Sequence, residues 1–236
     1  MRVCRKSQLR HTPPEFLKEA PSNQTQSMVI NTLYFDCAWK QPFPKTKSDA
    51  VYDFYDEDGQ RRCGVHMMSN NIDVDYVQSD ICSAIRIPYA DCNYSAIFAL
   101  PRSGNGIKNT TKDILPSLKQ MLVSKAFDRG EHESVKVYLP RMTIESSGRI
   151  DKYICNNGID LKNKKLLGFG RSNPIGIQQA TFLSLYEEGT RVASVTSSDM
   201  GGAPSGLMFN QPFVMIIRDN NTGSIVLMAV VRMPKE

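Results

Sequence analysis

At 236 residues the chain amounts to one large domain or two small ones, and 41% apolar with 22% charged residues excludes collagen-like, low-complexity and unfolded chains. Lys and Arg number 29 against 24 Asp and Glu, so the net charge of +5 is only mildly basic and gives no reason to expect a nucleic-acid partner. The apolar stretches 214–217 and 225–231 fall far short of the ~20 residues that cross a bilayer, so no membrane span or membrane partner is predicted.

Residues 1–26 are polar, interrupted by Pro13-Pro14 and Pro21, and read as a short leader to a domain spanning 27–236. Arg2, Arg5 and Lys6 lead into Gln8, Arg10 and His11 instead of an apolar run, so no signal peptide is read there. Met28-Val29-Ile30-Asn31-Thr32-Leu33-Tyr34-Phe35 is a continuous β-prone run, predicted to be a strand buried on both faces, in which Asn31 must find hydrogen bonds inside. Further strands are predicted at 84–88, 95–100, 134–139, 141–145, 181–186, 214–218 and 224–231. Ile114, Leu115, Leu118, Met121 and Leu122 follow Thr110-Thr111 at helical spacing, which predicts about four turns of amphipathic helix. A shorter helix is expected at 149–156, with Gly158 placed to end it. Turns are marked by Asp58-Gly59, by 103–106 and by Asn221-Thr222-Gly223, the last joining two apolar strands as a hairpin.

Little of this chain carries enzyme chemistry. His11, His66 and His132 are scattered, and Cys4, Cys37, Cys63, Cys82, Cys92 and Cys155 show no zinc-like spacing. The cysteines read as isolated thiols, with a disulfide between distant members left open. Gly202-Ala203-Pro204-Ser205-Gly206 has the wrong spacing for a nucleophile elbow and carries a proline where the strained turn needs a free backbone. Gly104-Asn105-Gly106 and Gly168-Phe169-Gly170 lack the later Gly or Lys of a phosphate loop, and the lysines of 162–165 read as a solvated loop. No metal, nucleotide or other cofactor is expected, and the chain is not read as an enzyme. Asn23, Asn93, Asn109 and Asn220 head sequons that suit an extracellular chain, while a cytoplasmic one stays open.

One stretch stands apart. Glu187-Glu188-Gly189-Thr190-Arg191-Val192-Ala193-Ser194-Val195-Thr196 is β-prone, yet it runs into Ser197-Ser198-Asp199-Met200-Gly201-Gly202-Ala203-Pro204-Ser205-Gly206, which cannot be a strand. With a side-chain period of two, Thr190, Val192, Ser194, Thr196 and Ser198 share a face that has no charge and no ring, so that face could enter a sheet.

The flanks of this stretch resemble the serpin family. Asn31-Thr32-Leu33-Tyr34-Phe35 with Trp39 and Gln41-Pro42-Phe43 is similar to the family's "NxxYF…W…PF"; Val65-His66-Met67-Met68 to its "VPMM"; Ile87-Pro88-Tyr89 to its "LPY"; and Val137-Tyr138-Leu139-Pro140-Arg141-Met142 to its "v-x-LPkf". Glu187-Glu188-Gly189-Thr190 resembles the reactive-loop hinge, and Phe209-Asn210-Gln211-Pro212-Phe213 with Ile216-Ile217-Arg218-Asp219 and Thr222-Gly223-Ser224-Ile225 resembles the C-terminal signature. The motifs occur in family order from about Met28 to Pro234.

The resemblance implies an α+β fold of three sheets with peripheral helices, N-terminally truncated because a large helical portion ordinarily precedes the "NxxYF" strand. It implies a reactive loop at about 189–206 that a target serine protease attacks. The acyl-enzyme is then trapped as Gly189 to about Ser198 inserts as a strand beside residues 28–35. By this resemblance Glu187, Glu188, Gly189, Thr190, Val192, Ala193, Ser194 and Thr196 form the hinge. Asn31, Trp39 and Gln179 belong to the switch region, Gln179 standing where the family usually has a buried histidine and able to bond Asn31. Counting from either flank leaves Met200, Gly201, Gly202, Ala203 and Pro204 as candidates for the cleaved bond. With no Lys or Arg in 197–206, the target is expected to be elastase-like or chymotrypsin-like and not trypsin-like. The alternative is a non-inhibitory serpin-fold protein, a protease substrate or binding module, whose exposed apolar faces favour self-association.

Overall fold

The β-prone runs become eleven strands in the computed structural model, which describes residues 27–45, 50–90, 93–102, 110–158, 175–189 and 206–235. In chain order these are β1 (Ser27–Tyr34), β2 (Val51–Tyr55), β3 (Arg61–Gln78), β4 (Cys82–Pro88), β5 (Tyr94–Pro101), α1 (Thr110–Val123), β6 (Glu131–Pro140), β7 (Met142–Arg149), α2 (Asp151–Asn156), β8 (Ile175–Leu185), β9 (Leu207–Met208), β10 (Phe213–Asp219) and β11 (Ile225–Val231). By contact the chain divides into two compact units, residues 1–35 with 144–183, and residues 36–143 with 184–236.

The first unit is built on a three-stranded sheet of order β1-β8-β7. β1 and β8 run parallel over eight residue pairs, and their register places Asn31 opposite Gln179. The expectation of a strand buried on both faces fails here, because Val29 is 45% and Ile30 47% exposed and Asn31 and Thr32 are exposed as well. Asn31 therefore does not depend on internal hydrogen bonds; water reaches its amide. The physical reason is the shortage of covering layers: among the described residues of this unit the only helix is α2, which buries none of its own side chains. Burial falls on β8, where Gln178, Ala180 and Leu183 are enclosed. Val29→Lys and Ile30→Lys should each change stability by no more than about 0.5 kcal/mol, as exposed positions do. A thermal melt checks this, and a loss of several kcal/mol is the result a buried strand would give.

The second unit carries an eight-stranded network of order β11-β10-β5-β4-β3-β6-β9, with β2 paired to β3 off this path. β3 joins β2 to the other strands, so the second unit holds one continuous network in place of two separate sheets. Its 18 residues pair with β2 through Arg61–His66, with β6 through Met67–Tyr76 and with β4 through Asp75–Gln78. Neither β2 nor β3 was expected from the sequence, although Ile72, Val74 and Tyr76 alternate with Asn71, Asp73 and Asp75 along β3 and the structure buries Ile72 and Val74 on one face. α1 packs Ile114, Leu118 and Met121 against Ala84, Ile97 and Ile216 of β4, β5 and β10. Pro116 lies inside this helix and removes one backbone donor, a loss opposed by burial of the same apolar face. Trp39, Phe98, Phe209 and Phe213 form an aromatic chain, with centroid separations of 6.3, 5.7 and 5.3 Å from each to the next. Gly158 ends α2 at φ 87, and Gly223 turns the β10–β11 hairpin at φ 73, both as their sequence positions predict. Cys37, Cys63, Cys82 and Cys155 are free thiols.

Candidate functional site

β8 ends in a tight turn at residues 186–189, where the Gly189 N–H donates to the Tyr186 carbonyl at 3.1 Å and Gly189 takes φ +89. Glycine is required twice over. A side chain is strained at that φ, and a Cβ would lie 2.5 Å from Ala38 Cα and closer still to Trp39 N. The backbone of Glu188-Gly189 can therefore lie directly against that of Ala38-Trp39.

The segment Trp39-Lys40-Gln41-Pro42-Phe43 grips this turn by three successive carbonyls. Trp39 Nε1–H donates to Tyr186 O at 3.1 Å, Phe43 N–H to Glu187 O at 2.7 Å and Trp39 N–H to Glu188 O at 3.2 Å. The Trp39 ring is itself held by stacking on Tyr89 at a centroid distance of 4.5 Å, and its backbone bridges to the same tyrosine. Two ion pairs reinforce the grip. Glu187 is buried, at 4% exposure, and accepts from Arg141 Nε at 3.0 Å and from a second guanidinium nitrogen. Glu188 pairs with Lys45 at 2.6 Å. Hydrogen bonding to Glu188 raises the Lys45 pKa above its ordinary 10.5. A raised cation favours the folded state below its unfolded pKa and loses that contribution as pH climbs through the folded value, so the Lys45 contribution is present at neutral pH and lost in strong alkali.

The far end of the loop is pinned in the same way. At Gly206 a Cβ would fall inside contact distance of Lys136 O, and the chain then enters β9, which pairs with Val137 and Tyr138 of β6. Segment 190–205 is thus flanked on both sides by glycines seated against another backbone.

The structure brings Trp39, Glu187, Glu188 and Gly189 together, and separately sets Asn31 beside Gln179 in register. Thr190, Val192, Ala193, Ser194 and Thr196 of the hinge lie outside the described residues, as do Met200, Gly201, Gly202, Ala203 and Pro204. Sequence reasoning assigned no role to Arg141, Lys45 or Gln41. Arg141 meets Glu187 across 46 residues, a distance no local pattern spans, and only its place after Leu139-Pro140 in a quoted motif singled it out.

Comparison with known proteins agrees with this geometry. Residues 6–234 match the family model described as serpin (serine protease inhibitor). Among curated relatives, Iripin-3 of Ixodes ricinus is 26% identical over 226 residues, covering 88% of this chain and 54% of the relative. Serpin A3-1 of Bos taurus is 26% identical, covering 91% and 53%, and the leukocyte elastase inhibitor of Equus caballus is 25% identical, covering 91% and 60%. The chain thus spans about half the length of the curated relatives it matches, between 53% and 60% for these three. Solved structures share the fold: thyroxine-binding globulin in complex with thyroxine at TM-score 0.75 and 18% identity, covering 94% of this chain and 60% of that one, and the thermophilic serpin tengpin in its native state at 0.69 and 23%, covering 87% and 55%. With the family's motifs in order and its model matched over residues 6–234, the chain belongs to the serpin family.

Proposed function

We propose that this chain inhibits a serine protease by offering segment 190–205 as bait, with Gly189 as the hinge on which the cleaved loop swings into the sheet of β1 and β8. The observation that carries the reading is the seating of Gly189. The turn that must move is held by hydrogen bonds and ion pairs that can each be broken singly, and it follows β8 directly in the chain. β1 and β8 are parallel neighbours, so a strand entering between them replaces their mutual ladder with two new ones and adds one strand's worth of pairing. Thr190, Val192, Ser194 and Thr196 are small enough and uncharged enough to face inward in that strand.

An elastase-like or chymotrypsin-like target fits the absence of Lys and Arg from 197–206, and two relatives are themselves named leukocyte elastase inhibitor. The chain alone, mixed with elastase or chymotrypsin, should give a covalent band on denaturing gels. Thr190→Arg should abolish that band and leave only cleaved chain, because insertion would bury a guanidinium at a cost of several kcal/mol and hydrolysis would finish first. An undiminished band in the variant would overturn insertion.

The exposure of Val29 and Ile30 favours a second reading, a serpin-fold chain that is cleaved without trapping. Its mark is thermal. After limited proteolysis within 197–206, a chain that inserts its loop melts well above the uncleaved form, whereas a chain that is merely nicked melts within a few degrees of it. A large upward shift would remove the second reading.

A further inference from the structure

The hinge is gripped by residues 39–43, but nothing in that short segment explains what keeps the segment itself in place. Two side chains of β3 do so. Gln41 and Asp73 bond reciprocally: Gln41 Nε2–H donates to Asp73 Oδ2 at 2.9 Å, and the Asp73 backbone N–H donates to Gln41 Oε1 at 2.8 Å. Three residues back along β3, Asn70 Nδ2–H donates to Pro42 O at 2.8 Å. Gln41 and Pro42 are the middle of the turn whose flanks, Trp39 and Phe43, supply the three donors to Tyr186, Glu187 and Glu188.

The polar residues that interrupt β3 thus have a use. β3 is the longest strand among the described residues and is paired with β2, β4 and β6. Lys40 is fixed otherwise, its N–H donating to Pro88 O at 3.1 Å at the end of β4. The two supports divide the work: β4 and Tyr89 hold the Trp39 side of the turn, and Asn70 and Asp73 hold the Phe43 side.

We propose that Gln41, Asn70 and Asp73 are positioning residues which set how readily the hinge turn at Glu187–Gly189 is released, acting through the Phe43 N–H that holds Glu187 O. Their bearing on inhibition rests on the function proposed above, but the release itself is measurable without a protease. Loss of the reciprocal pair removes two hydrogen bonds from the middle of the turn, and the bond most dependent on its placement is Phe43 to Glu187.

The test is native-state amide hydrogen exchange followed by NMR in the parent, Gln41→Ala, Asn70→Ala and Asp73→Asn. Gln41→Ala should speed exchange at the Phe43 amide roughly tenfold, from a net loss of two hydrogen bonds. Asn70→Ala should act in the same direction at the same amide. Asp73→Asn keeps an oxygen for Gln41 and the backbone N–H, so it should match the parent. The Lys40 amide, held by Pro88, and the amides of β10 should stay unchanged in all variants. An unaltered Phe43 rate in both alanine variants would overturn the proposal, as would acceleration spread equally over Lys40 and β10, which marks general destabilisation. Should the parent form no covalent complex with elastase or chymotrypsin, the inhibitory reading falls, while these rates still decide whether β3 holds the hinge.

Discussion

Gly189→Ala should lower the melting temperature by about 6–12 °C, corresponding to about 3 kcal/mol at the ~2–4 °C per kcal/mol usual for a domain of this size. Two contributions combine. A non-glycine residue at φ +89 carries roughly 1–2 kcal/mol of backbone strain. The added methyl also collides with backbone atoms of Ala38 and Trp39, which cannot rotate aside as a side chain could, so the turn must back away and stretch the Trp39–Glu188 hydrogen bond. Gly59→Ala separates the two contributions, since Gly59 has φ +76 but no atom within 4 Å of where the new methyl would sit, leaving only the strain. Trp39 is the single tryptophan of the chain, so its fluorescence reports the displacement without background. Gly189→Ala should change the emission spectrum and Gly59→Ala should not. Equal melting shifts in the two variants would show that the close seating of Gly189 contributes nothing.

The strands that were legible beforehand are those whose apolar content is dense: β4, β5, β10 and β11 stand where β-prone runs placed them, and of these β4, β5 and β10 are enclosed and tolerate few polar residues. β3 was missed although Ile72, Val74 and Tyr76 alternate with polar residues, because that run is short and Ser69-Asn70-Asn71 precedes it; the use of Asn70 and Asp73 lies in bonds to Pro42 and Gln41, about 30 residues away in the sequence. β1 shows the reverse error. Its continuous β-prone run promised burial, but burial is a property of the layers that cover a strand, and the sequence of the strand carries no record of them. At the site, Gly189 and Trp39 could be found by motif, whereas the ion pairs around Glu187 and Glu188 could not. A glutamate in a hinge motif does not state whether it faces water or an arginine.

Arg141→Ala should be the most damaging single change among the charged residues around the turn at 186–189, at about 2–4 kcal/mol by urea denaturation. The Glu187 carboxylate is almost fully enclosed and would lose the guanidinium that meets it with two nitrogens, whereas Arg141 keeps part of its surface in water. The asymmetry predicts that the reciprocal change is milder. Glu187→Gln retains an oxygen to accept from Arg141 and leaves a cation that solvent can reach, so it should cost only about 1 kcal/mol. The decisive variant is the double replacement Arg141→Met with Glu187→Met, which removes both charges and keeps side-chain bulk. It should be more stable than Arg141→Ala, because no buried carboxylate remains to be desolvated. If the double variant is instead no more stable than Arg141→Ala, the loss in Arg141→Ala does not come from leaving the Glu187 carboxylate unpaired. A double variant close to the parent in stability would mean that the charge pair contributes little net stability, and that its effect is to make one position of the turn at 186–189 much better than any other.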